Sequence, residues 1–252
     1  MKKDKAIVTL CIGKEFEEIG RLTHPFMKDY ANKINADFIV IDKTKFLLKN
    51  RIIKLIFKKL LKFKKLCLFN RNYILKDYHP CFEKFQIYSL FNKYGRIIYI
   101  DTDVLISSNC PNLFDVVPYT HIGVFLESDF EDRDEEINLF QKVLGFIGWK
   151  KNYFNSGVMV LSKKHREIFN IKKIIVKSFN YMEQTQLNYN VQKLKIPICD
   201  IGYKFNHMGV CGKSNERFDS YIIHYAGKHH EDKPRIETIK KDIKFIESKN
   251  KF

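Results

Sequence analysis

The 252-residue sequence predicts an α/β protein whose central sheet is mostly parallel. Apolar stretches with strand composition alternate with longer stretches of helical periodicity, which is typical of strand–helix–strand units. Hydrophobic residues make up 45% of the chain and aromatic residues 14%, so it can bury a substantial core and wholesale disorder is excluded. No apolar run approaches the roughly 18 residues that a membrane-spanning helix requires.

The N-terminal part begins with a predicted strand, a helix and a second strand, at 6–11, about 16–34 and 38–41. Basic residues before the first apolar run resemble the start of a secretion signal. However, that run ends at Gly13 and Lys14 without a small-residue cleavage site, so we interpret it as a strand. A helix is predicted over 80–94, where Gly95 ends it.

The remaining predicted elements continue the alternation toward the C-terminus. In order, they are a strand ending at 100, a strand at 122–126, a helix near 135–147, a strand at 156–161, a helix from about 164, a helix at 184–193, strands at 196–200 and 221–224, and an amphipathic helix at about 236–246. We find neither a repeat nor a low-complexity linker. The sequence therefore predicts one domain over 1–252.

The net charge of +16 comes mainly from one segment. Residues 43–76 contain twelve lysines and arginines and no acidic residue, which leaves +4 for the rest of the chain. Within the insertion at about 44–76, residues 51–67 project onto an amphipathic helix with one basic face. This helix either packs on the core or contacts an anionic membrane surface, and we favour the membrane slightly. No specific nucleic acid is expected, because no recognisable binding module flanks it.

The six cysteines are scattered and form no CxxC pair. Neither a zinc site nor a disulfide-rich scaffold has this spacing. The pattern favours reduced thiols in a cytoplasmic protein, with peripheral contact at the cytoplasmic face of the membrane if the basic helix binds lipid.

The most informative stretch is RIIYIDTDVLI at 96–106, where an apolar strand ends in Asp101 and Asp103. Side chains at i and i+2 of an extended segment point the same way, so both carboxylates could bind one hard divalent cation. Ligands of open α/β sheets collect at the carboxyl ends of the strands. The same pattern at Asp132 and Asp134 lies in the polar stretch ESDFEDRDEE, which we interpret as a solvated loop.

Three further segments place polar groups beside predicted elements, although each also fits an ordinary turn, cap or surface loop. Their candidate residues are Asn155 in FNSGVMVL, Glu183 and Gln184 in EQTQLN, and His224, Gly227, Lys228 and Lys233 in HYAGKHHEDKP. Amide, carboxylate and imidazole groups can bind a sugar or a metal ion, and glycine followed by lysine suits phosphate.

In this order, the segments resemble the GT-A glycosyltransferases, most closely glycosyltransferase family 8, the glycogenin-like retaining enzymes. The matching segments are AIVTLC, FEKFQIYSLF, YIDTDVL, FNSGVMVL, EQTQLN, and HYAG followed by KP. They cover nearly the whole chain except 44–76. The resemblance implies a GT-A (Rossmann-like) nucleotide-diphospho-sugar transferase fold, with a mostly parallel central sheet flanked by helices.

The resemblance also implies an activity: transfer of a sugar from a nucleotide-diphosphate donor, UDP by analogy, to a glycan, lipid-linked or protein acceptor, with retention of configuration. Carried over by position, the resemblance implies that Mn²⁺ or Mg²⁺ binds to Asp101, Asp103 and His224. It implies that the nucleotide is bound by Thr9, Leu10, Cys11, Thr102 and, from the helix, Lys84, and the diphosphate by Gly227, Lys228 and Lys233. The residues that it assigns to the transferred sugar are Asn155, Glu183 and Gln184. Glu183 is the one candidate for a covalent nucleophile, and same-face attack assisted by the diphosphate is the alternative.

The chain departs from the family pattern at three places. Cys11 and its neighbours replace the usual polar or aromatic residue after the first strand, and Glu183 stands where aspartate is common. Five residues separate Gly227 from Lys233, a longer loop than usual, and Arg235 replaces a frequent tryptophan.

Two other classes of protein fit parts of the sequence. A haloacid-dehalogenase-type phosphatase would use Asp101 as its nucleophile and Asp103 as an acid/base, but that motif normally lies near the start of its domain. A non-enzymatic basic protein that binds membranes or nucleic acid would explain the insertion. It would leave Asp101, Asp103 and His224 without a role.

Overall fold

The computed structural model describes residues 3–45, 80–170, 182–211, 214–227, 229–230 and 233–248. The predicted basic helix at 51–67 and Lys228 lie outside these residues, and the membrane contact of that helix stays a prediction. Among the described residues, no helix combines the length and the apolar composition needed to cross a bilayer.

A six-stranded sheet forms the centre of the fold, in the order β2-β1-β3-β6-β5-β7. The strands are β1 (Lys5–Leu10), β2 (Asp37–Ile41), β3 (Arg96–Ile100), β4 (Val104–Ile106), β5 (Ile122–Leu126), β6 (Phe154–Ser162), β7 (Ile198–Asp200), β8 (Ile222–His224), β9 (His229–His230) and β10 (Lys233–Pro234). β1 pairs in parallel with β2 and β3, and β5 with β7, whereas β6 is antiparallel to both of its neighbours. The predicted mostly parallel sheet is confirmed.

Helices flank both faces of this sheet. They are α1 (Lys14–Lys33), α2 (Ile87–Leu90), α3 (Leu113–Val116), α4 (Asp134–Leu144), α5 (Met182–Lys193) and α6 (Arg235–Ser248). Alternate residues of β3 show how the core is divided: Ile97 and Tyr99 belong to one apolar cluster, and Ile98 and Ile100 to another. Burial on both faces explains why β3 is hydrophobic at every position from Ile97 to Ile100 rather than alternating.

The predicted helix over 80–94 is wrong in type. The chain forms a 3₁₀ segment over Pro80–Gln86 before the single α-helical turn of α2. In a 3₁₀ helix, side chains at i and i+3 eclipse each other. Two such pairs stabilise the tighter winding: Phe82 stacks on Phe85, and Gln86 donates a hydrogen bond to the Glu83 carboxylate at 2.6 Å.

A short second ladder carries the C-terminal part of the chain to the end of β3. β4 pairs antiparallel with β8, which places Val104 opposite His224. Ile239 of α6 packs with residues of β4 and β8 in a separate apolar cluster. The Arg217 guanidinium and the Tyr225 hydroxyl both donate to the buried Asp242 carboxylate of α6, which fixes the helix to β8.

Candidate active site

Asp101 and Asp103 lie in the turn between β3 and β4, at the carboxyl end of β3. The predicted extended geometry is wrong at this point, because residues 102 and 103 form a turn. The Thr102 hydroxyl donates to the Leu10 carbonyl at 2.6 Å, and the Asp101 amide donates to the Gly157 carbonyl at 2.7 Å. The turn is thus anchored to the strands on both sides of β3.

The turn brings both carboxylates to His224. Its Nε2 atom lies 3.4 Å from Asp103 Oδ1 and 3.9 Å from Asp101 Oδ2. One ligand atom of each residue lies within 4.8 Å of the others. Two carboxylates and an imidazole at such separations suit a Mn²⁺-like ion, and two of the three groups, Asp103 and His224, are buried. The three residues therefore fit the metal that the resemblance implies.

Neighbouring charges favour the ionised forms of Asp103 and His224. Burial disfavours the charge on Asp103, but His224 and Arg235 prevail and lower the pKa of this carboxyl. Burial likewise disfavours the charged imidazole, but Asp103 and then Asp101 raise the pKa of His224 above its usual value. A metal ion bound at Nε2 would replace the proton there.

The second ring nitrogen of His224 is held by a residue that sequence reasoning missed. Nδ1–H donates to Asn206 Oδ1 at 2.8 Å, so that Nε2 faces the two aspartates. Asn206 is buried, and its Nδ2 donates to Asn155 Oδ1 at 2.9 Å. A single amide thus orients both a metal-ligand candidate and a sugar-binding candidate.

Lys84 projects inward from the 3₁₀ segment and connects the metal-ligand cluster to Glu183. Its Nζ atom lies 2.6 Å from Glu183 Oε1 and 3.5 Å from Asp101 Oδ1, and donates to Ser156 Oγ at 3.0 Å. Burial alone would discharge this lysine, but Asp101 and Glu183 outweigh it and raise the pKa of Lys84. The buried ammonium lies 4.6 Å from the centre of the Tyr99 ring.

The candidates for the transferred sugar meet at a carboxylate that sequence reasoning also missed. Glu127 Oε2 accepts hydrogen bonds from Asn155 Nδ2 at 3.0 Å and from Gln184 Nε2 at 3.2 Å. Glu127 is buried and paired with Arg133. The interpretation of ESDFEDRDEE as a solvated loop is therefore wrong for these two residues, although Asp132 and Asp134 are exposed.

The residues assigned to the nucleotide are buried in the structure. The Thr9 hydroxyl is fully buried and lies 3.1 Å from the Thr102 hydroxyl, so it supports the aspartate turn. Leu10 is buried, and the Cys11 thiol donates to the Phe16 carbonyl.

The loop assigned to the diphosphate begins at Gly227. This exposed residue has a φ of +90°, a left-handed conformation that favours glycine. The backbone of Lys233 pairs with that of His230 in the β9–β10 hairpin. Lys233 and Pro234 lead directly into α6, whose first residue contacts Asp103 of the metal-ligand cluster.

The sheet, with Asp101 and Asp103 after β3 and His224 at the end of β8, has the GT-A fold, which solved glycosyltransferases share. The glycosyltransferase involved in glycosylation of the major capsid of PBCV-1 is 13% identical, with a TM-score of 0.57 over 94% of this chain and 98% of that one. The galactosyltransferase LgtC, in complex with donor and acceptor sugar analogs, is 14% identical, with a TM-score of 0.51 over 94% of each chain. The bifunctional WbbM is 15% identical, with a TM-score of 0.61 over 96% of this chain and 50% of WbbM.

The chain belongs to glycosyltransferase family 8, whose model matches residues 25–246. The resemblance seen in the sequence is confirmed, and the protein is a glycosyltransferase. This membership decides against the phosphatase and the non-enzymatic interpretations. A search of curated protein sequences found no match.

Proposed function

We propose that this glycosyltransferase uses a divalent cation, Mn²⁺ or Mg²⁺, to transfer a sugar from a UDP-sugar to a glycan, lipid-linked or protein acceptor, with retention, in one domain spanning 1–252. The observation that carries the proposal is the cluster of Asp101, Asp103 and His224, whose ligand atoms lie within 4.8 Å of one another. Family membership supplies the reaction class.

Breaking the bond between a sugar and a diphosphate develops negative charge on the leaving group. A divalent cation held by the three cluster residues would stabilise that charge as it grows. Gly227, Lys228 and Lys233 would contact the diphosphate. Lys84 contributes a buried positive charge 3.5 Å from Asp101 Oδ1, which holds this carboxylate in place.

Asn155, Glu183 and Gln184 would face the transferred sugar. Their hydrogen-bonding partners fix their orientations: Glu127 holds both amides, and Ser156 donates to Glu183 Oε1 at 2.8 Å. Side chains fixed in this way lose little entropy when they bind a ligand, so they can act as a preorganised surface for the sugar hydroxyls.

Retention would proceed by attack of the acceptor on the face that the diphosphate leaves. Glu183 is the candidate for a covalent nucleophile, but Lys84 and Ser156 both bind its Oε1 atom, which lowers its nucleophilicity. We expect an α-configured donor to give an α-linked product. Anomeric analysis of the product by NMR checks this, and a β-linkage would overturn it.

Calorimetric titration of UDP into the protein, with and without Mn²⁺, tests the metal and the nucleotide together. We expect binding that depends on Mn²⁺, because the diphosphate and the cluster would share the ion. Titration of ADP and GDP under the same conditions controls for general diphosphate affinity. Absence of UDP binding with and without Mn²⁺ would refute the UDP-sugar assignment.

A further inference from the structure

One candidate metal ligand, Asp103, has a cation of the protein itself as a partner. Arg235 Nη1 donates to Asp103 Oδ2 at 2.6 Å, although the two residues are 132 positions apart. Only 10% of the Arg235 side chain and 8% of the Asp103 side chain are exposed. Water therefore screens this pair weakly, and its charges act strongly on neighbouring groups.

The local structure around Arg235 does not account for an arginine there. It is the first residue of α6, and the N-terminus of a helix carries partial positive charge that disfavours a cation. Its Nε atom is buried without a hydrogen-bond partner. The contact that offsets these costs is the one with Asp103.

The two oxygens of Asp103 face different partners. Oδ1 faces His224 Nε2 at 3.4 Å, on the side where the ligand atoms converge, while Oδ2 binds Arg235. An ion bound at Oδ1 would therefore leave Arg235 in place. The guanidinium would then repel the ion, since both are positively charged and share one carboxylate.

The charges around the cluster determine how Arg235 would affect the binding of a diphosphate. Three carboxylates, those of Asp101, Asp103 and Glu183, face two fixed cations, Lys84 and Arg235. Together these five groups carry one net negative charge, and a divalent ion that replaces the His224 proton would change the charge of the site to one positive. A diphosphate would then enter a site of opposite charge. With a neutral side chain at 235, the metal-loaded site would carry no net charge and attract the diphosphate less.

We propose that Arg235 sets which ligands the cluster prefers: it weakens the hold on the cation alone and strengthens the hold on the diphosphate of a cation–diphosphate pair. This inference rests on the proposed function and assigns a role to a residue at which the chain departs from the family pattern. The cluster would then bind the cation alone weakly and bind it more tightly when a nucleotide diphosphate is present.

The test compares wild type with Arg235→Gln and Arg235→Lys, using MnCl₂ alone and then UDP in saturating MnCl₂, by isothermal calorimetry. We expect Arg235→Gln to bind Mn²⁺ alone about tenfold more tightly, and UDP with Mn²⁺ about tenfold more weakly, as one nearby charge is lost. Arg235→Lys keeps the charge and should stay close to wild type in both titrations.

Opposite shifts in the two titrations distinguish an electrostatic role of Arg235 from a structural one. If Arg235→Gln weakens both titrations, the arginine merely supports the fold of the cluster and the inference is wrong. Two unchanged titrations would also overturn it. If wild type binds Mn²⁺ but no UDP, the proposed function and this inference both fail. If wild type binds UDP and Arg235→Gln binds it with the same affinity, the inference fails and the proposed function stands.

Discussion

Substitution of Asp103 by asparagine should abolish Mn²⁺-dependent binding of UDP. The amide keeps the shape of the side chain but removes the negative charge that faces His224 Nε2 at 3.4 Å. Loss of residues that merely support a metal ligand typically costs 10–100-fold in affinity, so we expect a loss of at least about 100-fold here. Calorimetric titration of Mn²⁺, alone and with UDP, measures the effect.

The same substitution should also destabilise the fold. Arg235 and His224 would face a neutral amide inside the protein, and breaking a buried ion pair by removing one partner costs about 3–5 kcal/mol. Urea unfolding checks this loss. Metal binding must be measured well below the denaturation temperature of the variant, so that unfolding does not mimic the loss of a ligand.

Asp134→Asn is the matched control, because Asp132 and Asp134 repeat the same sequence pattern in an exposed position. We expect this variant to bind Mn²⁺ and UDP like wild type and to unfold at a similar urea concentration. Wild-type binding of Mn²⁺ by Asp103→Asn would contradict the assignment of Asp103 as a ligand.

Local sequence patterns were sufficient to identify the aspartates of the cluster but not their geometry. An apolar run followed by carboxylates predicts the end of β3, whatever structure the chain forms after it. The turn depends on partners far away in the sequence: Thr102 bonds to Leu10, and Thr23 donates to the Thr102 carbonyl at 2.6 Å. Those contacts arise only after β1 and α1 pack beside β3.

The residues that orient the site escaped the sequence analysis for the same reason. Asn206 reaches Asn155 across 51 positions, and Gln184 reaches Glu127 across 57. One local signal was available for Glu127: Arg133 is the single basic residue in the acidic stretch 127–136. A lone arginine among seven acidic residues is a candidate for burial with one of them.

The 3₁₀ segment shows a different limit. Helical character over 80–94 could be predicted, because apolar residues recur with helical spacing. Apolar spacing does not determine the type of helix: two i,i+3 pairs stabilise the 3₁₀ winding, and the buried Lys84 ammonium meets Glu183 from another part of the chain. Intrinsic helix propensity contains no information about that contact.

Substitution of Gly157 by alanine should displace His224 without changing any candidate ligand. A Cβ atom at this position would lie 2.3 Å from His224 Cε1 and 2.8 Å from its Nδ1, closer than packed atoms can approach. The imidazole is enclosed and held by Asn206, so it must leave its position. We expect a loss of about 1–3 kcal/mol of stability from overpacking, and at least about tenfold weaker Mn²⁺ binding.

Gly123→Ala separates the two effects. Gly123 lies on the neighbouring strand β5, where a Cβ atom would come within 2.4 Å of Val117 Cγ2 instead of touching the cluster. We expect a similar loss of stability in urea but wild-type affinity for Mn²⁺ in calorimetry. Wild-type Mn²⁺ affinity in both variants would mean that the position of the imidazole does not determine metal binding, and would contradict the assignment of His224 as a ligand. If only Gly157→Ala loses affinity for Mn²⁺, the close approach of β6 to the imidazole is needed to position His224 as the third ligand.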